Sequence, residues 1–105
     1  MIAINKQIDA YLDEPDRLKY HSKKLIEIIT DKINSDSFGE GLDIGCASGS
    51  FIRNLSPLLI NYNFTGFDIS KTLVDHANKL KKNKLSNFFV GDFNSISFDK
   101  KFNLI

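Results

Sequence analysis

The chain has 105 residues, enough for one domain and too few for two. Fourteen basic side chains against thirteen acidic ones give a formal net charge of +1, which removes any bulk electrostatic reason to expect nucleic acid or a membrane surface as partner. A single cysteine, Cys46, excludes an intrachain disulfide, and no apolar run has signal-peptide or membrane-spanning length, so a cytoplasmic protein is expected.

At the N-terminus a short helix is expected across Ala3 to Leu12, with Asp13-Glu14-Pro15-Asp16 as a break. From Leu18 the periodicity is helical. Leu18, Leu25, Ile26, Ile29 and Ile33 share one face, and the helix should end near Asn34. Gly41-Leu42-Asp43-Ile44-Gly45 then reads as a short buried strand, which in a parallel sheet need not alternate. Phe51, Ile52, Leu55, Leu58 and Leu59 recur at helical spacing, with a kink or a restart expected at Ser56-Pro57. A second strand is expected over Phe64 to Ile69. Ser70 is a good N-cap for a helix reaching about Lys82. Asn87 to Val90 reads as a third strand, and Lys101 to Ile105 as the opening of a fourth. Lys79, Lys81, Lys82 and Lys84 gather where cations complement a helix C-terminus, a plainer explanation than an anion-binding patch.

Helices alternating with strands in this way predict an α/β fold with a Rossmann-like parallel sheet. Right-handed crossovers bring the carboxyl ends of successive strands to one edge, where ligands of such sheets bind. Asp43, Asp68 and Asp92 all fall at or near those ends, each about 25 residues from the next, or about one strand–helix unit. Gathering unpaired charge at one edge is unfavourable, so a polar ligand explains the trio better than three separate helix caps do. Beside them lies the turn Gly45-Cys46-Ala47-Ser48-Gly49-Ser50, whose small residues allow close approach to the backbone at the start of a helix. A strand, a glycine turn and a helix suit dinucleotides, nucleotides and S-adenosylmethionine alike. The dinucleotide pattern G-x-G-x-x-G/A fits poorly, because Ala47 and Ser50 occupy its second and third positions.

The segment Leu42-Asp43-Ile44-Gly45-Cys46-Ala47-Ser48-Gly49-Ser50 resembles instead the first motif of class I S-adenosylmethionine-dependent methyltransferases, acidic-x-Gly-x-Gly-x-Gly. It carries one substitution, Ala47 for the middle glycine, a mild departure provided Ala47 keeps a negative φ. Phe64 to Ser70 is similar to the family's second motif and Val90-Gly91-Asp92-Phe93 to its third. Lys101 to Ile105 is similar to the opening of its fourth strand, where an aspartate often replaces Asn103. The resemblance covers about Leu18 to Ile105. It implies a helical segment over residues 1–36 and the cofactor-binding half of a seven-stranded domain over residues 40–105, cut after the start of the fourth strand.

By that resemblance S-adenosylmethionine is the cofactor. Gly45, Ala47 and Gly49 would give backbone access, Asp43 would face its amino end, and Cys46 belongs to the same loop. Asp68 would accept from both ribose hydroxyls. Ile69 would pack on the adenine, Asp92 would accept from the adenine amino group, and Phe93 would offer its N–H or its ring. Ile69 and Phe93 are equally expected in the core, and Cys46 reads as a small filler because no activating base lies nearby. Tyr20 and His21 precede the first strand, where the family places a lid, although a solvated histidine is the plainer reading. The implied reaction is in-line attack of an acceptor nucleophile on the sulfonium methyl. No catalytic residue and no metal site can be named, and the acceptor is expected to be a small molecule because no basic face is evident. A non-catalytic cofactor- or partner-binding fragment and a nucleotide-binding domain are the alternatives. With only a ragged fourth strand the first strand would be an open edge, which favours pairing with a second chain.

Overall fold

The computed structural model describes residues 20–105, with side chains from residue 21 onward. The helix expected over Ala3 to Leu12, the break at Asp13 to Asp16, the apolar position Leu18 and the side chain of Tyr20 lie outside the described residues.

Helix α1 (Tyr20–Lys32) is followed by strand β1 (Gly39–Ile44) and helix α2 (Ser50–Leu55), which runs into a 3-10 turn (Ser56–Leu58). Strand β2 (Tyr62–Asp68), helix α3 (Lys71–Leu80) and strand β3 (Ser86–Val90) complete the series. The strands form a parallel sheet in the order β1-β2-β3. On the free side of β1, Leu104 makes an isolated parallel bridge to Gly41. It is held by Leu42 N–H to the Leu104 carbonyl at 2.8 Å and by Asn103 N–H to the Glu40 carbonyl at 2.8 Å. The Asn103 side chain adds a further tie, its Oδ1 accepting from Glu40 N–H at 2.9 Å.

Local sequence accounts for most of these boundaries. Pro57 cannot continue the hydrogen-bond ladder of α2, so the helix tightens into the 3-10 turn at Ser56. That change rotates Leu58, expected inward, out to solvent. Ser70 caps α3, its hydroxyl accepting from Leu73 N–H at 3.4 Å. The helix ends at Leu80, two residues before the expected limit. In α1 the buried stripe is narrow: Ile26 and Ile29 are buried and Leu25 sits on the flank, half exposed, while Ile33, just past the end of the helix, packs against the core.

One face of the sheet is covered by all three helices, where Tyr62, Phe64 and Phe88 meet Ile26, Ile29, Ile52, Leu55, Val74 and Ala77. Glycines make this packing possible. A Cβ on Gly39 would stand 2.4 Å from the Tyr62 ring, and one on Gly41 would stand 2.6 Å from the Phe64 ring, so both rings lean across β1 where it has no side chains. The opposite face carries Leu42, Ile44, Phe67 and Phe89. There Phe98 packs on both aromatic rings, 6.0 Å from Phe67 and 6.2 Å from Phe89, and Phe102 stacks edge-on to Phe98 at 5.2 Å.

Topology explains why residues 93–102 cross that second face. The steps β1 to β2 and β2 to β3 move one way along the sheet with helices on one side. The return from β3 to a position beside β1 moves the other way, and a right-handed crossover must then pass over the other side. The reversal of direction falls between β1 and Leu104, which makes the carboxyl end of β1 the switch point of the sheet. At the far flank β3 is sealed by a side chain. Asn78 of α3 donates Nδ2 to the Phe88 carbonyl at 2.8 Å and accepts the Phe88 N–H on Oδ1 at 3.3 Å.

Candidate active site

The switch point is occupied by the turn 45–49. Gly45 and Cys46 both donate their N–H to the Phe67 carbonyl at 2.9 Å, and Gly49 N–H closes back on the Cys46 carbonyl at 2.9 Å. Alternate residues are left-handed: φ is +71° at Gly45, +50° at Ala47 and +79° at Gly49. The condition set on Ala47 by the sequence therefore fails, since its φ is positive. This turn requires the left-handed region at every second residue, and an L-residue there costs about 1–2 kcal/mol. A Cβ on Gly45 would meet nothing within 4 Å, so this backbone faces open space, whereas one on Gly49 would press on Ala77 and Phe88 at 3.0 Å.

Asp68, at the end of β2, is tied to this turn. Its Oδ2 accepts the Ala47 N–H at 3.0 Å and its Oδ1 accepts the Ser70 N–H at 3.0 Å. Each oxygen keeps a second lone pair for another donor. Asp43 lies beside it on β1. Burial first, and the Asp68 charge second, push its carboxyl up from 3.8 to about 6. The structure thus brings Asp43 and Asp68 into electrostatic contact. Asp92 lies two residues beyond β3, exposed, with Oδ1 accepting the Asn94 N–H at 3.0 Å in a local turn. The ends of β2 and β3 are joined by Gly91 N–H to the Asp68 carbonyl at 3.0 Å.

Two expected core residues are not in the core. Ile69 is 76% exposed and Phe93 64% exposed. Each directly follows an acid at a strand end, where the chain leaves the sheet before the next buried position. They flank the edge as bare apolar surface. Phe93 also borders a groove of about 300 Å³ on the second face, with Ile44 and Ile96. Cys46 fits the filler reading: it is buried, against Gly66. Burial, Asp43 and Asp68 together push its thiol up to about 12. His21 is exposed on α1. The lysine cluster follows α3 back to the amino edge of the sheet, opposite the turn, with Lys81 donating to the Ser86 carbonyl at 3.1 Å. Among the described residues no group of three or more acids, histidines or cysteines is placed to hold a metal. No described helix is long and apolar enough to cross a membrane.

One residue of the site escaped the sequence reading. Arg53 of α2 is 2% exposed and donates from Nη1 to the Ser48 carbonyl at 2.7 Å. The available signal was a charged residue between Ile52 and Leu55 in an apolar helix, one turn after Gly49.

A family model for the methyltransferase domain matches residues 42–105, from the middle of β1 through the bridge at Leu104. The chain belongs to the methyltransferase domain family. The domain is 42% identical over 57 residues to a tRNA (guanine-N(7)-)-methyltransferase of Prochlorococcus marinus strain MIT 9515, covering 53% of this chain and 27% of that protein. A second such enzyme, from strain MIT 9215, is 36% identical over 73 residues, covering 62% and 35%. The methyltransferase chain thus spans about a third or less of these relatives. Among solved structures, the plantazolicin methyltransferase BpumL, in complex with a triazolic desmethyl-plantazolicin analogue and S-adenosylhomocysteine, superimposes with a TM-score of 0.71. It is 25% identical over 91% of this chain and 37% of its own. The complex of Haloferax volcanii Trm112 methyltransferase activator with a methyltransferase gives 0.64 at 22% identity, covering 92% and 40%. Coclaurine N-methyltransferase gives 0.65 at 10% identity, covering 79% and 26%, a likeness of fold.

Proposed function

We propose that residues 40–105 form the S-adenosylmethionine-binding half of a methyltransferase, preceded by helix α1 (Tyr20–Lys32). The observation that carries this reading is the pair Ile69 and Phe93, two exposed apolar side chains that each follow an acid at the carboxyl edge of the sheet, the edge that also carries the polar turn and the Asp43–Asp68 pair. A soluble protein rarely leaves such residues bare at a charged crevice unless a part-apolar ligand covers them. The residues fit that cofactor: open space at Gly45 for its amino-acid end, Asp43 for its ammonium, the free lone pairs of Asp68 for ribose hydroxyls, and Ile69, Asp92 and Phe93 for the adenine. Ala47 and Gly49 shape the turn, and Cys46 supports it from below rather than touching the ligand. Bound there, the cofactor supplies an electrophilic methyl group on a sulfonium for an acceptor nucleophile. The chain's own part is to hold and orient it and to keep charge beside its ammonium.

The test is calorimetric titration of S-adenosylhomocysteine into the chain, with Ile69→Asp as the control. Because Ile69 is exposed, the variant keeps its core. Micromolar binding, about −8 kcal/mol, weakened tenfold or more in the variant supports the reading. Stabilisation by NAD or ATP in a thermal-shift assay, with S-adenosylhomocysteine inert, would replace it with a nucleotide-binding domain.

For the acceptor we favour a small molecule, because the lysine cluster lies at the sheet edge away from the crevice. The curated relatives support a second reading, a guanine of tRNA. Radiolabelled methyl transfer to tRNA transcripts by a protein containing this domain would decide for the second.

A further inference from the structure

Resting on the reading of the 45–49 turn as a cofactor loop, we infer that Arg53 is a positioning residue for that loop: its guanidinium and the Asp68 carboxylate clamp Ala47-Ser48 from two sides and hold Ala47 left-handed. The two contacts bracket one dipeptide. Asp68 Oδ2 accepts the Ala47 N–H at 3.0 Å, and Arg53 Nη1 donates to the Ser48 carbonyl at 2.7 Å. Both involve an ionised side chain, and hydrogen bonds of that kind are roughly twice as strong as neutral ones. They fix the peptide group before Ala47 and the one after Ser48, so the dipeptide that contains the residue most resistant to this conformation is held at both ends; Ala47 alone among positions 45, 47 and 49 carries a Cβ.

Burial makes the arrangement more than incidental. Arg53 is 2% exposed in a six-residue helix whose other inward residues, Ile52 and Leu55, are apolar. A buried guanidinium is costly unless its hydrogen bonds are good, so an aliphatic residue would serve simple packing better. The short bond to Ser48 and the backbone bond from Arg53 N–H to the Gly49 carbonyl at 2.9 Å both anchor α2 to the turn. Arg53 is buried against the turn, with its guanidinium on the Ser48 carbonyl. Its effect on a ligand would pass through the backbone of Ala47 and Ser48.

Arg53→Lys keeps the charge and removes the fork, and Arg53→Met keeps the length and removes the charge. Amide hydrogen exchange and S-adenosylhomocysteine titration are measured for each, alone and with Ala47→Gly, which relieves the left-handed cost. The clamp predicts that Ala47 N–H exchanges at least tenfold faster in Arg53→Lys while amides at the centre of β2 keep their protection. Affinity for S-adenosylhomocysteine falls about fivefold or more, and both losses shrink when Ala47 is glycine. Unchanged exchange at Ala47 overturns the inference. So does a loss of the same size in both backgrounds, or a loss of protection spread evenly over β2, which would mark a merely structural role. Should the unmutated chain fail to bind S-adenosylhomocysteine, the cofactor reading fails, and the exchange data alone still decide whether Arg53 clamps the turn. If Arg53→Met does not fold, Arg53→Lys carries the test.

Discussion

In the cofactor reading Asp43 sets stability and ligand binding against each other, and Asp43→Asn separates them. Burial and the Asp68 charge raise its carboxyl from 3.8 to about 6. With the folded value above the unfolded one, the native state holds this proton more tightly than the denatured state does. The resulting stability is complete below pH 4 and is lost as pH rises through 6. A tenfold difference in proton affinity corresponds to about 1.36 kcal/mol, so the full loss above pH 7 is about 3 kcal/mol, or about 2 kcal/mol after allowing for partial exposure. Asparagine keeps the shape without the charge. Urea denaturation at pH 8 should therefore find Asp43→Asn more stable than the unmutated chain by about 2 kcal/mol, with the difference vanishing near pH 4. Titration of acids remote from Asp43 cancels in the comparison. In the cofactor reading the same variant binds S-adenosylhomocysteine more weakly at pH 8, having lost its anion. An equal difference at both pH values, or a less stable variant at pH 8, would refute the electrostatic account of Asp43.

Three further substitutions or treatments probe the packing around the turn. Ala47→Gly removes a left-handed cost of about 1–2 kcal/mol and adds chain entropy of about 0.5–1 kcal/mol, so thermal melts should show a net gain of about 0.5–1 kcal/mol. A loss would mean the alanine methyl has a packing role. Gly66→Ala places a Cβ 2.8 Å from the Phe88 ring and 2.9 Å from Cys46 Cβ, and overpacking of that kind should lower stability by about 1–3 kcal/mol in urea melts. Cys46, held as the thiol by a value near 12, should be alkylated by iodoacetamide at pH 8 at least about a hundredfold more slowly than in the unfolded chain, as followed by intact mass.

The residues that carried the sequence reading are those whose signal is local. Pro57 ends α2, Ser70 starts α3, and the acids at the strand ends stand where strand–helix spacing puts them. What the sequence concealed depends on partners distant along the chain. Nothing in Gly45-Cys46-Ala47 reveals that Ala47 must be left-handed, because that follows from two carbonyl contacts to Phe67 and one to the Asp68 side chain. Ile69 and Phe93 read as core by composition, yet the chain turns away from the sheet just before each. Leu25 and Leu58 failed for a related reason: helical spacing gives an apolar stripe but not its width, nor where a change of helix type rotates it. Arg53 and Asn78 were invisible, since a polar side chain bonded to the backbone of another element leaves no periodic trace.

Asn78 gives the sheet a direction of growth. By occupying both the N–H and the carbonyl of Phe88, it leaves an incoming strand nothing to pair with at the centre of β3. The opposite flank offers β1, which holds Leu104 by a single bridge. Further strands, from whatever chain they come, have one docking side, and it is the side where the order reverses and the turn opens. Enlarging this sheet would therefore build outward from the switch point, so any added strand would also add surface beside the turn.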